Sequence, residues 1–174
     1  GYGWAKRALE LSAKYLKKYK GINVSVVRPY NAYGPRDKFD PKHSHVVAAL
    51  INKVYGAADG TIQVWGSGNQ TRALLYVKDA VRGMMMAAEK YPEADPVNLG
   101  NDREYTIREV AETIIKISGL NVKIVYDTSR PEGYERRSSL NQKAKDKIGF
   151  ETSYSLEEGL KETVDYYIKN RIIY

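Results

Sequence analysis

The first 35 residues of this 174-residue chain constrain its fold more than any other stretch. Apolar side chains recur at helical spacing between residues 8 and 19, which predicts a helix that ends near Gly21. The β-branched run at residues 22–27 predicts a buried strand, and the prolines, asparagine and glycine of residues 28–35 predict a structured loop after it. This order of helix, strand and loop indicates an α/β fold, in which ligands bind at the carboxyl ends of the strands.

Helices and strands continue to alternate beyond this segment. The patterns predict further helices at about residues 43–54, 80–90, 106–118, 141–148 and 155–170, and further strands at 60–66, 71–77, 97–99 and 122–126. Thr106 and Ser155 are each followed three residues later by Glu, which is the pattern of a helix capping box. The three consecutive methionines at 84–86 are interpreted as core filler.

Composition narrows the class of protein. The chain is 43% hydrophobic and 28% charged, which is typical of a soluble globular domain, and it has no apolar run long enough to span a bilayer. It has no cysteine, which fits a cytoplasmic protein without disulfides. The net charge of +7 fits an anionic partner such as a phosphorylated small molecule, or simply a lysine-rich surface. No nucleic-acid-binding motif is present, so we expect neither nucleic acid nor a membrane as a partner.

Two short motifs suggest a cofactor or a metal at first sight. The turn Gly66-Ser67-Gly68 follows a predicted strand, but it lacks a third glycine and opens no helix, so it is not a dinucleotide-binding fingerprint. His43 and His45 lie two residues apart without the ligand set of a zinc site, and we expect no metal. His45 could instead cap the second helix, or act as an acid or base near neutral pH.

Tyr2 and Lys6 are four residues apart and therefore share one face of the first helix. A lysine ammonium near a phenol favours the phenolate, which suits proton transfer at neutral pH. The chain has 15 tyrosines and many lysines, so such a pair also arises on an ordinary amphipathic helix. The pair gains meaning from the motifs that follow it, including the basic loop at residues 130–137, which suits phosphate binding.

These motifs, in this order, resemble the extended short-chain dehydrogenase/reductase family, the NAD-dependent epimerases and dehydratases of nucleotide sugars. The matching segments are Tyr2-Gly3-Trp4-Ala5-Lys6, Arg28-Pro29-Tyr30-Asn31-Ala32-Tyr33-Gly34-Pro35, residues 64–72 with Tyr76-Val77-Lys78-Asp79, Asn98-Leu99-Gly100, the Arg130-Pro131 loop and residues 155–160. The resemblance implies the C-terminal part of a Rossmann-like NAD(P)-binding fold with a small α/β substrate-binding lobe. Residues 1–174 would then be a C-terminal portion that lacks the N-terminal cofactor-binding half.

Within the family, residues 39–50 look most like the GDP-L-fucose synthase branch, which acts on a GDP-4-keto-6-deoxy sugar. The resemblance implies NAD or NADP as cofactor, a nucleotide sugar as substrate and a homodimer. The catalytic residues it implies are Tyr2, Lys6 and His45. The cofactor-binding residues it implies are Tyr2, Lys6, Pro29, Tyr30, Asn31, Ala32 and His45. The substrate-binding residues it implies are Asn31, Lys53, Trp65, Arg72 and Arg137.

The chain also departs from the family pattern. The family's glycine-rich turn and the partners of its tyrosine and histidine lie upstream of the Tyr-x-x-x-Lys motif, and Lys78 stands where an acidic residue is commoner. We therefore expect these residues alone to lack redox activity, and to self-associate because the first helix and residues 22–27 would expose apolar surface. A non-redox nucleotide-sugar-binding module and a non-catalytic homologue remain as alternatives; intact Tyr2, Lys6 and His45 argue against the second.

Overall fold

Helices and strands alternate along the residues that the computed structural model describes, 1–131 and 133–170. The helices are α1 (Tyr2–Lys20), α2 (Val46–Tyr55), α3 (Val77–Lys90), α4 (Ile107–Ser118), α5 (Gln142–Ile148) and α6 (Leu156–Lys169). The strands are β1 (Val27–Pro29), β2 (Ala32–Tyr33), β3 (Thr61–Trp65), β4 (Thr71–Arg72), β5 (Leu75–Tyr76), β6 (Val97–Leu99), β7 (Tyr105–Thr106), β8 (Lys123–Asp127) and β9 (Arg136–Arg137). The predicted α/β class is confirmed.

Parallel pairing dominates the strands. β1 pairs with β6, β2 with β5 and β3 with β8, each pair being parallel. β4 lies between β7, which is antiparallel to it, and β9, which is parallel to it. Parallel strands end at the same edge of their sheet, so the loops that follow β1 and β6 meet at one edge.

Two clusters of buried side chains stabilise the fold. The larger lies between α2, α4, α6 and β3, and includes Ile51, Ile114 and Leu160. The smaller joins β6 to α3 and α5 through Leu99 and Phe150. Burying each such side chain contributes roughly 1.5–3 kcal/mol relative to leaving it in water.

Local sequence signals set the ends of several helices, as predicted. Thr106 and Ser155 form complete capping boxes with Glu109 and Glu158 at the starts of α4 and α6. Gly21 ends α1 in the left-handed conformation, with φ of 66°. The side-chain oxygen at each cap accepts a backbone N–H that the first helical turn would leave unpaired.

Four predicted boundaries shift, and tertiary pairing sets the first three of them. Val24 forms an isolated bridge with Glu93, and the regular strand β1 begins only at Val27. The predicted strand at residues 71–77 divides into β4 and β5, because Ala73 donates its N–H to Arg137 while Leu75 donates to Asn31. Helix α3 therefore begins at Val77. Helix α2 begins at Val46, so His45 occupies the N-cap position just before its first turn.

The interpretation of the methionines as core filler is wrong for two of the three. Met84 and Met85 are 39% and 59% exposed. The buried face of α3 consists of small residues around Gly83, where a Cβ would lie within 3.0 Å of Leu99 and Phe150. Met84 and Met85 therefore face away from the smaller cluster, whereas Met86 packs against it.

The first helix leaves most of its apolar side chains in water, as expected from the sequence. Trp4, Leu11, Tyr15 and Tyr19 follow one another at spacings of seven, four and four residues, and each is more than half exposed. They form one outward stripe along α1.

Among the described residues, no helix combines the length and apolar character needed to cross a membrane.

Candidate functional site

An open groove of about 840 Å³ separates α1 from the segment at residues 24–29, and Tyr2 and Lys6 lie on its helical wall. The Lys6 ammonium nitrogen is 5.4 Å from the centroid of the Tyr2 ring. The Tyr2 side chain is 80% exposed, so its hydroxyl is accessible to a ligand. A ligand in the groove could therefore contact the Tyr2 hydroxyl close to the Lys6 ammonium group. Pro29, at the end of β1, closes the opposite wall.

A buried carboxylate lies deeper in the same groove. Glu10 is 8% exposed and accepts two hydrogen bonds from Arg28, at 2.6 and 2.7 Å, and one from Arg7 at 2.7 Å. The hydrogen bonds from Arg28, followed by that from Arg7, lower the pKa of Glu10 to about 2. Glu10 is therefore an ionised anchor for Arg28, the residue that precedes Pro29.

The loop after β1 forms a second cavity of about 480 Å³, lined by Pro29, Tyr30 and Asn31 on one side and Arg136, Arg137 and Ser138 on the other. Asn31 adopts a positive φ of 38° and donates its side-chain amide to the Ala73 carbonyl at 3.3 Å. Asparagine tolerates this backbone region better than most residues. Ala32 begins β2 beside this loop and does not line the cavity itself.

A third cavity, of about 230 Å³, brings together Lys53 of α2, Trp65 of β3 and Arg72 of β4. The Lys53 ammonium donates to the Gln63 carbonyl at 2.7 Å and lies 6.0 Å from the Trp65 ring centroid. Burial lowers the pKa of Lys53 below its ordinary value. Three of the predicted substrate residues thus line one cavity, to which Lys53 and Arg72 contribute positive charges and Trp65 contributes an aromatic ring.

Shared or paired lining residues connect the three cavities one after another. Pro29 lines both the groove and the middle cavity. Arg137 of the middle cavity is the register partner of Arg72 of the third cavity, in the parallel strands β9 and β4. Its neighbour Arg136 binds Glu104 through two nitrogens, at 2.6 and 3.0 Å. Both arginines line the middle cavity, but Arg136 is held by Glu104, whereas the Arg137 guanidinium lies over the exposed ring of Tyr134.

His45 lies at the start of α2, directly before Val46 of the third cavity. Its side chain is exposed and makes no capping hydrogen bond. It does not line the groove that contains Tyr2. The structure thus places His45 near the predicted substrate residues. That His45 and Tyr2 act on the same substrate stays a prediction.

The NAD dependent epimerase/dehydratase family matches residues 1–100, a span that contains the groove, the loop after β1 and Lys53, Trp65 and Arg72. The chain belongs to this family. The resemblance drawn from its motifs is confirmed.

Several members of this family are similar over nearly the whole chain. GDP-L-fucose synthase from Sinorhizobium fredii is 37% identical over 173 residues, covering 97% of this chain and 54% of that protein. The structure of a GDP-L-fucose synthetase from Naegleria fowleri bound to NADP has a TM-score of 0.88 and 30% identity, covering 97% and 56%. UDP-glucose 4-epimerase from Thermotoga maritima, solved with UDP-glucose, has a TM-score of 0.83 and 32% identity, covering 97% and 53%. The chain spans about half the length of the relatives it matches.

The described residues of this epimerase/dehydratase chain bring three of the predicted cofactor residues to one groove. Tyr2, Lys6 and Pro29 line a groove that is open to a ligand. The Gly66–Gly68 turn does not offer a phosphate cradle, because a Cβ on Gly68 would lie 2.3 Å from the Tyr126 ring. The turn leads into strand β4 and not into a helix.

Sequence reasoning missed three residues of the epimerase/dehydratase site. Glu10 could have been found, since it follows Lys6 by four residues on the same helix face. Gln70 is 6% exposed, donates to the Trp65 carbonyl and lines the third cavity, and no sequence signal marks it. Arg130 lies over the Trp65 ring, 5.7 Å from its centroid, and was recognised only as part of a basic loop.

Proposed function

We propose that residues 1–174 are the C-terminal, substrate-binding portion of a nucleotide-sugar epimerase/reductase that uses NAD or NADP and acts on a GDP-4-keto-6-deoxy sugar. The observation that carries the proposal is the connected series of cavities, with Tyr2 and Lys6 in the first and Lys53, Trp65 and Arg72 in the last. The 37% identity to a GDP-L-fucose synthase supports a GDP sugar. An N-terminal half would supply the rest of the cofactor site, so these residues alone should lack redox turnover.

The proposed chemistry takes place in the groove that contains Tyr2. The nicotinamide, when bound, supplies a hydride to the carbon of the sugar ketone. Tyr2 donates its phenolic proton to the ketone oxygen, which makes the alcohol and leaves a phenolate. The Lys6 ammonium, 5.4 Å from the Tyr2 ring centroid, stabilises that phenolate by its charge. The backbone of residues 29–32 would border the nicotinamide.

Epimerisation would precede this reduction. A ketone acidifies the C–H bonds of the neighbouring carbons, so a base can remove a proton there and an acid can return one to the other face. The family resemblance assigns this exchange to His45, whose exposed side chain lies at the start of α2 and would have to reach the ketone end of the substrate. An imidazole suits both steps because it titrates near neutral pH.

The nucleotide end of the substrate would lie over the basic residues. Arg72 and Arg137 would hold the pyrophosphate, because a guanidinium matches the geometry of phosphate oxygens. Lys53 would add a third positive charge. Trp65, which is 54% exposed, would offer its ring to the rest of the nucleotide, and Asn31 would contact the sugar.

The proposal includes self-association in the cytoplasm. The outward stripe of α1 exposes four large apolar side chains to water, which favours burial against another polypeptide surface. We propose a homodimer as the assembled form, in which this stripe is covered.

A second candidate function is a non-redox module that binds a nucleotide sugar. This function is favoured because the described residues form the basic cavities proposed for the substrate. Their Gly66–Gly68 turn packs against Tyr126 and does not form a binding site for the cofactor phosphates. Such a module would bind the sugar nucleotide without turnover even in the full-length protein. Retention of Tyr2, Lys6 and His45 favours the enzyme over this module and over a non-catalytic homologue.

The two functions are separated by assaying the full-length protein with GDP-4-keto-6-deoxymannose and NADPH. The enzyme hypothesis expects oxidation of NADPH in step with formation of a reduced GDP sugar. Binding of the sugar nucleotide without NADPH oxidation would support the module instead.

A further inference from the structure

The buried carboxylate of Glu10 takes no part in the chemistry proposed above, although it lies in the same groove as Tyr2. Both of its oxygens accept from Arg28, Oε1 from Nε at 2.6 Å and Oε2 from Nη2 at 2.7 Å. A bidentate guanidinium–carboxylate pair fixes orientation as well as distance. The pair therefore defines how two segments of the chain face each other.

Those two segments are the ones that carry the proposed chemistry. Glu10 follows Lys6 by four residues and Tyr2 by eight, so all three lie on one face of α1. Arg28 lies in the middle of β1, where it is the register partner of Asn98, and it directly precedes Pro29. The pair thus joins the tyrosine–lysine face to the strand that leads into the loop at residues 29–31.

The Glu10–Arg28 pair is one of few contacts between α1 and the rest of the described residues. Of its 19 residues, Glu10 and Ala13 are the buried ones. A second link lies near the other end of the helix, where Lys17 contacts the Pro92 carbonyl at 2.6 Å and Glu93 at 3.1 Å. Among the described residues, little apolar packing holds the Tyr2 end of α1, and the Glu10–Arg28 pair ties this part of the helix to β1.

We propose that the Glu10–Arg28 pair is a positioning element that holds the Tyr2–Lys6 face of α1 opposite Pro29 across the groove. The inference rests on the proposed function and adds to it a requirement for turnover rather than for substrate affinity. Neither residue touches the reacting atoms. Misplacing a catalytic group by about 1 Å can cost roughly a hundredfold in rate, so loss of this link should be visible in kcat.

The test uses the full-length protein and compares four single variants. Glu10→Gln and Arg28→Lys should each lower kcat by roughly tenfold or more, with the KM for the sugar nucleotide changed by less than about threefold. The double variant should be no worse than the poorer single variant, because both cut one link.

Two controls separate positioning from general stability. Arg7→Ala removes a bond to Glu10 of the same 2.7 Å length, but that bond stays within α1. Lys17→Ala removes the link at the far end of the helix. Both should keep the wild-type kcat, and Lys17→Ala should lower the melting temperature. Circular dichroism and retained sugar-nucleotide binding confirm that each variant is folded.

Two results would overturn the inference. Equal losses of kcat in Arg7→Ala, Lys17→Ala and Glu10→Gln would point to general loosening of the helix. Wild-type kcat in Glu10→Gln and Arg28→Lys, with Tyr2→Phe inactive in the same assay, would remove the positioning role and leave the proposed function intact. Full activity of Tyr2→Phe would instead remove the proposed function, and this inference with it.

Discussion

Arg72 and Arg137 are register partners in the parallel strands β4 and β9, so two guanidinium-bearing residues that are 65 positions apart in sequence lie side by side. Burial, and then the charge of Arg137, lower the pKa of Arg72 below its ordinary value. Like charges on paired strands destabilise a sheet unless something compensates for them. A bound pyrophosphate would compensate for both.

The first prediction concerns this pair. Arg72→Ala or Arg137→Ala should weaken GDP-sugar binding by about 1.5–3 kcal/mol, or roughly ten- to hundredfold in Kd, because each removes charged hydrogen bonds to phosphate. Arg136→Ala is the matched control, since Arg136 is engaged with Glu104. Calorimetry should find its Kd within about twofold of wild type. Equal losses at all three arginines would indicate a diffuse charge effect and contradict a specific site.

The second prediction concerns Tyr2. In the full-length protein, Tyr2→Phe removes the proton donor and should lower turnover by roughly 10²–10⁴-fold, with sugar-nucleotide binding retained. Tyr15→Phe, on the same helix and also exposed, should leave turnover unchanged. The measurement is NADPH oxidation at saturating substrate, together with a binding titration. Retained turnover in Tyr2→Phe would exclude the proposed role.

The third prediction concerns acid stability. The pKa of Glu10 falls from 4.5 to about 2 in the folded chain, chiefly through its hydrogen bonds from Arg28. A lowered folded-state pKa contributes stability that is fully present above pH 4.5 and is lost as the pH falls towards 2. The difference in unfolding free energy between wild type and Glu10→Gln should therefore be largest above this window and shrink within it. Denaturant titrations across the window measure it, and a difference that stays constant with pH would contradict the assignment.

The fourth prediction concerns the outward stripe of α1. Light scattering should show the chain self-associating as its concentration rises, because Trp4, Leu11, Tyr15 and Tyr19 present apolar surface to water. Leu11→Glu should shift the equilibrium towards monomer. Leu140→Glu, at a site that is 77% exposed outside this helix, should not. A wild-type chain that stays monomeric at high concentration would refute the stripe as an interface.

The sequence predicted those features that local chemistry determines. The capping boxes at Thr106 and Ser155 and the glycine end of α1 depend on residues within one or two turns, and each was correct. The motifs also identified three residues that line the third cavity, because Lys53, Trp65 and Arg72 belong to segments with a family resemblance.

Features that depend on contacts between residues far apart in the chain could not be predicted from the sequence. The division of residues 71–77 depends on hydrogen bonds from Ala73 to Arg137 and from Leu75 to Asn31. The exposure of Met84 and Met85 depends on how closely Gly83 approaches β6. Hydrophobic periodicity contains no information on which partner a strand will meet, so neither outcome could be derived from spacing alone.

The most direct test of the central claim is a calorimetric titration of this chain with GDP-, UDP- and dTDP-sugars. The account predicts saturable binding of the GDP-sugar, weaker binding of the other two, and loss of the GDP-sugar signal in Arg72→Ala but not in Arg136→Ala. Absence of binding to all three, or equal affinity for all three, would contradict the claim that these cavities form a GDP-sugar site.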